Sequence, residues 1–127
     1  MNADLNGLSE SVIGCAYRVS SSLGSGFLES VYENALALEF GGSGIVFERQ
    51  KRLIVRYRDA VVGDFAADFL IADSIIVELK AVKTLLPEHQ AQVLNYLKAS
   101  GLQLGLLINF GTPKAQIKRL VHQLRSD

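Results

Sequence analysis

The apolar positions of the first forty residues repeat at helical spacing in two runs. The second run comprises Leu28, Val31, Ala35 and Leu38, and it predicts a helix over about residues 27–40. Gly24-Ser25-Gly26 separates this helix from an earlier one, which is predicted over about residues 5–22. The earlier helix is predicted from six apolar residues at helical spacing: Leu8, Val12, Cys15, Ala16, Val19 and Leu23.

From Ile45 onward the pattern changes to one typical of β-strands. The segments IVFERQ and KRLIVRY are rich in β-branched and aromatic residues, and they predict a first strand. Turns are predicted at residues 58–60 and 72–74, with the segment VVGDFAADFLI as the strand between them. A third strand, IIVELKAV, follows at once. Three strands joined in series by short turns predict an antiparallel meander.

The last third of the chain is predicted to be helix, strand and helix. Pro87 suits the first turn of a helix that runs to Gly101. The segment LQLGLLINF is continuously apolar, as expected for a strand covered on both faces. Pro113 is predicted to open a final helix, because the apolar residues after it have the spacing i, i+3, i+4, i+7: Ile117, Leu120, Val121 and Leu124.

Length, charge and cysteine content narrow the class of protein. A chain of 127 residues fits one domain, residues 1–127, with one core. Its 13 basic residues balance its 13 acidic residues, which excludes a uniformly basic coat for nucleic acid but not a polarised surface. The single cysteine, Cys15, excludes an internal disulfide and is predicted to be a buried thiol. No segment resembles a membrane span or a secretory signal, so a cytoplasmic location without membrane contact is expected.

Two opposite charges interrupt the apolar strand IIVELKAV. Because side chains alternate along a strand, Glu78 and Lys80 share one face with Ile76. On the preceding strand Asp68 is predicted to share a face with Ala66 and Leu70. If the two faces meet, two carboxylates and one ammonium group lie together on a partly covered sheet. Unpaired charges are costly there, and a divalent cation between the carboxylates would offset their repulsion.

The pairing register decides whether these charges meet. Asp68 and Glu78 share a face only if the residue numbers of each pair sum to an even value. A two-residue turn would give an odd sum. The sequence therefore predicts a three-residue loop over residues 72–74, or a bulge with the same effect.

The spacing of these charges resembles the PD-(D/E)xK nuclease superfamily. Asp68 is followed after about ten residues by Glu78-Leu79-Lys80, although an E-x-K triplet alone occurs by chance in about half of chains of this length. Gly26 to Tyr32 also matches G-x-x-E-x-x-Y, the signature of the bacterial GxxExxY family. Gln92 to Tyr96 matches the Q-x-x-x-Y of exonuclease-like branches, and GLQLGLLINFGTP is similar to the closing strand of the GxxExxY family. The resemblance covers nearly the whole chain, although the usual proline before Asp68 is absent.

The resemblance implies a fold and a metal site. The fold is α/β and restriction-endonuclease-like: a mixed sheet, made of a three-stranded antiparallel meander and a fourth strand after a crossover helix, flanked by helices. Asp68, Glu78 and the backbone carbonyl of Leu79 would be ligands of Mg²⁺ or Mn²⁺, ions that favour oxygen donors. Glu29 would hold a second ion or a coordinated water, and Lys80 would orient the attacking water or stabilise phosphate charge.

Several further polar residues have two interpretations each. Tyr32 is either half-buried packing or support for the site, and Gln92 and Tyr96 either form the polar side of a helix or hydrogen-bond the site or a phosphate. Lys118 is a candidate phosphate contact, because it would share a helix face with Lys114 and Arg125, although such stripes are usually only solvated. Three other polar residues have weaker links to the predicted site. His89 is a candidate ligand or base, Gln50 is an undecided polar contact, and Glu33 is predicted to be a surface residue.

Three functions are compatible with these residues. The leading one is metal-dependent hydrolysis of phosphodiester bonds in DNA or RNA. The alternative is a non-catalytic module of the same fold that binds nucleic acid, a protein partner or a second copy of itself. A structural domain with a fortuitous charge cluster is the third. The joint presence of Asp68, Glu78 and Lys80 favours the enzyme.

Overall fold

The computed structural model describes residues 3–123, which form three helices and five strands. The helices are α1 (Ala3–Leu23), α2 (Glu29–Gly42) and α3 (Pro87–Ser100). The strands are β1 (Phe47–Tyr57), β2 (Ala60–Ile71), β3 (Ile75–Lys80), β4 (Leu104–Asn109) and β5 (Gln116–Val121). Among residues 3–123, none of these helices combines the length and the hydropathy needed to cross a bilayer.

The strands form one mixed sheet in the order β1-β2-β3-β4-β5. β1, β2 and β3 are antiparallel neighbours, as the predicted meander requires. β4 lies parallel to β3, and α3 provides the crossover between them. The predicted pattern of a meander followed by a crossover helix and a fourth strand is therefore present.

The predicted register between β2 and β3 is confirmed. The paired residues are Phe69↔Val77, Leu70↔Ile76 and Ile71↔Ile75, and each pair sums to the same even number. The connection is the three-residue loop 72–74, in which Ala72 and Asp73 take left-handed backbone angles with φ of 48° and 54°. This loop geometry brings Asp68 opposite Glu78.

The predicted last helix is wrong, because residues 116–121 form strand β5. β5 pairs antiparallel with β4 over the full length of that strand, from Leu104↔Val121 to Asn109↔Gln116. Without β5, the fully buried β4 would be an edge strand whose backbone groups lack partners. Lys114 and Lys118 consequently share no helix face, and Leu124 and Arg125 lie outside the described residues.

Two hydrophobic cores cover opposite faces of the sheet. The larger core joins α1 and α2 to the sheet and contains Cys15, which is fully buried as predicted. The smaller core joins α3 to the other face through six buried residues: Leu53, Ala67, Leu70, Ile76, Tyr96 and Leu97. A Cβ atom at Gly105 would lie 2.5 Å from Val93 Cγ1, so glycine is required where α3 crosses β4.

The alternation of side chains along β2 is interrupted at Asp68. Phe69 packs in the larger core, whereas Ala67 and Leu70 both pack in the smaller one. Opposite this point on β1, Gln50 has a left-handed backbone with φ of 50°. The prediction that Ala66, Asp68 and Leu70 share one face is therefore wrong: Ala66 is exposed, and Asp68 lies where the strand changes the face it buries.

Candidate active site

Asp68 and Glu78 are held together by two reciprocal hydrogen bonds. The backbone N–H of Asp68 donates to Oε1 of Glu78 at 2.8 Å, and the backbone N–H of Leu79 donates to Oδ2 of Asp68 at 2.8 Å. The backbone pairing of β2 with β3 ends one residue earlier, at Phe69↔Val77. Side-chain oxygens thus replace the ladder where the strands part, and this fixes both carboxylates in position.

A second pair of residues orients Asp68 from the other side. Nε2 of Gln50 donates to Oδ1 of Asp68 at 3.2 Å and to Oε1 of Glu33 at 2.8 Å. Arg49 forms a 2.6 Å ion pair with the other oxygen of Glu33, whose side chain is only 16% exposed. The prediction of Glu33 as a surface residue is therefore wrong, because its partners come from β1 and not from its own helix.

Burial raises the pKa of Glu78 to about 8, well above its usual 4.5. The residue is only 4% exposed, and the negative charge of Asp68 raises its pKa further. The pKa of Asp68 is also raised, mainly by burial, although the hydrogen bonds from Leu79 and Gln50 act in the opposite direction. One buried and one half-buried carboxylate that resist ionisation together are a favourable setting for a cation.

Glu29 and Lys80 complete the charged cluster. Glu29 is the first residue of α2, and its pKa is raised by burial and then by the negative charge of Asp68. Lys80 is the half-buried last residue of β3, and its positive charge lowers the pKa values of Glu29, Asp68 and Glu78. Within residues 3–123 Lys80 has no ion-pair partner within 4.0 Å, so its ammonium group is available to an anion.

Tyr32 supports the site by fixing the turn that precedes α2. Its hydroxyl donates to the carbonyl of Gly24 at 2.6 Å and accepts from the N–H of Phe27 at 3.2 Å. Its fully buried ring stacks on Phe110 with centroids 4.7 Å apart. The side chain is buried in the larger core, so its role is to position the helix start that carries Glu29.

We expect Tyr32→Phe to lower the free energy of unfolding by about 1–2 kcal/mol, because two backbone groups of the turn lose their buried partner. Urea unfolding with and without the substitution measures this difference. Tyr17→Phe is the matched control, since the exposed Tyr17 contacts Lys114 through its ring, which phenylalanine retains. Equal losses in the two variants would show that the hydroxyl of Tyr32 contributes nothing specific.

Gln92 and Tyr96 present a hydrogen-bonded pair on α3. Nε2 of Gln92 donates to the Tyr96 hydroxyl at 3.1 Å, which leaves the phenolic hydrogen to donate elsewhere. Burial raises the pKa of Tyr96, and the negative charge of Glu78 raises it further, so Tyr96 lies within electrostatic reach of that carboxylate. His89 instead serves the start of α3, where its Nδ1 accepts from the N–H of Leu86 at 3.0 Å.

Asn109 is a further positioning residue that the sequence interpretation did not include. It is fully buried at the end of β4, paired with Lys80. Its side-chain amide hydrogen-bonds both backbone groups of Val82, at 3.0 and 2.9 Å. The signal in the sequence that could have identified Asn109 is its position as a lone polar residue at the end of an apolar strand. Through these bonds Asn109 holds in place the segment that follows Lys80.

Lys118 lies on the sheet row that contains Glu78. Glu78 pairs with Leu107, and Leu107 pairs with Lys118, so the three residues form one row across β3, β4 and β5. Two strand spacings separate the backbones of Glu78 and Lys118 by about 10 Å. The predicted helix stripe is absent, but an exposed cation still lies near the carboxylates.

The donors around Asp68 and Glu78 suit a hard divalent ion. All of them are oxygens, the ligands that Mg²⁺ and Mn²⁺ prefer. Among the described residues, no three acidic, histidine or cysteine side chains are grouped closely enough to hold an ion on their own. Mg²⁺ is commonly bound by one or two carboxylates with water and substrate phosphate, so two carboxylates meet its requirement. The N–H of Leu79 is already bonded to Asp68, whereas its carbonyl stays a predicted ligand.

The stability of the metal-free protein should fall as pH rises from about 5.5 to 8. Because the pKa of Glu78 is raised on folding, the folded state holds a proton that the unfolded state has released. The loss is about 3 kcal/mol across this window, since each pH unit costs up to about 1.4 kcal/mol. Unfolding in EDTA at several pH values measures it, and Glu78→Gln should flatten the slope. The exposed Glu10→Gln is the control; a steep slope retained in Glu78→Gln would contradict the assignment.

Comparison with protein families gives a match that covers most of the chain. The family model described as the PD-(D/E)XK nuclease superfamily matches residues 6–120. No curated protein matches the sequence.

The solved structures with similar folds include the following two. SSO0001 is 18% identical, with a TM-score of 0.56 over 76% of this chain and 52% of that one, so the chain spans about half the length of SSO0001. An alkaline exonuclease, LHK-Exo from Laribacter hongkongensis, is 12% identical, with a TM-score of 0.52 over 91% of this chain and 82% of that one. With the family match, this likeness confirms the predicted α/β, restriction-endonuclease-like fold class.

Proposed function

The chain belongs to the PD-(D/E)XK nuclease superfamily, and from this premise we propose that it hydrolyses phosphodiester bonds of DNA or RNA with a divalent metal ion. The reciprocal clamp between Asp68 and Glu78 carries the proposal, because it holds a buried and a half-buried carboxylate together beside Lys80. We propose that residues 1–127 act as one such domain, located in the cytoplasm.

The proposed metal ligands are Asp68 and Glu78, with the carbonyl of Leu79 and, for a second ion, Glu29. When bound, Mg²⁺ or Mn²⁺ would supply positive charge to the scissile phosphate. Gln50 orients Asp68, and the backbone N–H groups of Asp68 and Leu79 keep both carboxylates from rotating away. Because these groups are preorganised before the substrate binds, the reaction needs no reorganisation energy to align them.

Lys80 is proposed to orient the attacking water or to stabilise charge on the phosphate. Its location at the end of β3, next to the carboxylates, gives it access to a phosphate held there. Tyr96 could donate its phenolic hydrogen to the same phosphate, with Gln92 holding the hydroxyl. Lys118, on the same sheet row as Glu78, is proposed to contact the nucleic-acid backbone.

We also propose membership in the GxxExxY branch of the superfamily. Each residue of that motif has a physical role in this chain. Gly26 takes a φ of 115° in the turn before α2, Tyr32 ties that turn together, and Glu29 faces the carboxylates. The three residues of the motif thus act together at the start of α2, which supports membership over a chance match.

A cleavage assay tests the proposed activity. Labelled DNA and RNA, single- and double-stranded, would be incubated with the protein in Mg²⁺, Mn²⁺ or EDTA. We expect cleavage that needs the metal and that is lost in Glu78→Gln, which keeps an oxygen to accept the Asp68 N–H bond. Metal-independent cleavage, or cleavage retained in Glu78→Gln, would contradict the proposal.

One observation favours the alternative of a non-catalytic module. Within the described residues the carboxylates are already engaged by backbone donors, and no third acidic, histidine or cysteine side chain lies close enough to them to hold the same ion. Such a module would bind nucleic acid, a protein partner or a second copy of the chain. Binding of one substrate with no cleavage of any would establish this alternative.

A further inference from the structure

A groove runs between α3 and the hairpin of β1 and β2. It consists of two adjoining concavities of about 330 and 490 Å³ that share Phe65 and Asn95 in their linings. The near concavity is lined by Tyr96 and by Gln92, which donates to the Tyr96 hydroxyl, and Tyr96 is close enough to Glu78 and Asp68 for their charges to raise its pKa. The groove therefore leads away from the proposed active site.

An exposed aromatic ring lies along this groove. Phe65 is 45% exposed, and its ring centroid is 5.6 Å from that of Tyr96. It lies three residues before Asp68 on the same strand, or about 10 Å along it. Nearly half of this large aromatic side chain is therefore exposed to water, and an exposed aromatic ring can stack on a base.

The far end of the groove is positively charged. Arg56 and Lys98 line it, both are exposed, and neither has an ion-pair partner among residues 3–123. The neighbouring Arg52 differs, because Asp64 neutralises it. The near end contains Glu88 and no cation, so phosphate groups are favoured at the far end and bases near Phe65.

We propose that this groove binds the single-stranded part of a nucleic-acid substrate, with one base stacked on Phe65 and phosphates at Arg56 and Lys98. The bases of a duplex are stacked on one another, so an aromatic side chain in a groove meets only an unpaired base. Aromatic faces combined with a basic track are the usual means of binding single strands. This inference rests on the proposed function, since the groove begins at the proposed site.

Fluorescence anisotropy in EDTA tests the groove without depending on cleavage. Labelled oligonucleotides of about 12 nucleotides, within the span of known single-strand sites, would be used as single-stranded DNA, single-stranded RNA and blunt duplex. Phe65→Ala should weaken single-strand binding about tenfold or more and leave duplex binding unchanged. Arg56→Ala and Lys98→Ala should each flatten the salt dependence by about 0.7.

Matched controls come from the same molecule. Tyr57→Ala removes an exposed aromatic ring from the same hairpin, and Lys114→Ala removes an exposed cation over Tyr17. Both should bind as the wild type does. If Phe65→Ala does not fold, Phe65→Leu keeps an apolar side chain without the aromatic face and should still weaken single-strand binding.

The outcomes separate this inference from the proposed activity. If the wild type cleaves but the Phe65 variants bind single strands normally, the groove assignment is wrong and the nuclease assignment stands. If the Phe65 variants lose single-strand binding while neither the wild type nor any variant cleaves nucleic acid, the groove assignment is supported and the proposed nuclease activity is wrong. An equal loss for duplex, or wild-type binding to a protein but to no nucleic acid, would overturn the groove assignment. The DNA and RNA arms identify which single strand the groove prefers.

Discussion

Lys80→Ala is expected to lower the rate of cleavage by about 10²–10³-fold while nucleic-acid affinity changes by no more than a few-fold. Lys80 lies beside Asp68 and Glu78, where charge would develop in the proposed reaction. A single phosphate contact among several adds little to affinity, but a charge aligned with the reacting phosphate acts mainly on the transition state. Single-turnover cleavage in Mn²⁺ and anisotropy titration would measure the two quantities separately.

Lys118→Ala is the matched counterpart and should have the opposite effect. It is expected to weaken binding and flatten the salt dependence by about 0.7–0.9 while the bound substrate is still cleaved. Lys118 lies two strands from Glu78, so in the proposed complex it would contact a neighbouring phosphate and not the reacting one. If Lys80→Ala loses affinity and cleavage in equal measure, Lys80 is a binding residue and the proposed division of roles is incorrect.

Asp68→Asn should abolish the stabilisation that divalent ions give the folded protein. An ion that binds only the folded state at 100 times its Kd adds about 2.7 kcal/mol of stability. Asparagine keeps an oxygen that accepts the N–H of Leu79, so the clamp survives while the charge is lost. Thermal unfolding at millimolar Mg²⁺ or Mn²⁺ and in EDTA would measure the rise in Tm, which we expect in the wild type alone.

Asp64→Asn provides the comparison for this measurement. Asp64 lies on the same strand and pairs with Arg52 at the surface, away from Glu78. It should retain the full metal-induced rise in Tm. A rise of equal size in Asp68→Asn and the wild type would mean that the ion binds elsewhere or that it acts through ionic strength.

The sequence determined the elements whose signals are local. α1, α2 and α3 follow from apolar spacing and from the glycine and proline residues at their ends, which depend on neighbours a few positions away. The register of β2 and β3 was also predictable, because a short loop couples the two strands directly. The spacing from Asp68 to Glu78 and Lys80 pointed to the charged cluster for the same reason.

Only the tertiary structure decided the features that depend on distant partners. Residues 117–121 have apolar spacing compatible with a helix, but the free edge of the buried β4 makes a strand more favourable. Glu33 became part of the site because Arg49 and Gln50 approach it from β1. The change of buried face at Asp68 likewise arises where β1 and β2 pass from one core to the other. Backbone pairing and burial across the sheet join residues that are far apart in the chain, and local sequence patterns do not predict such contacts.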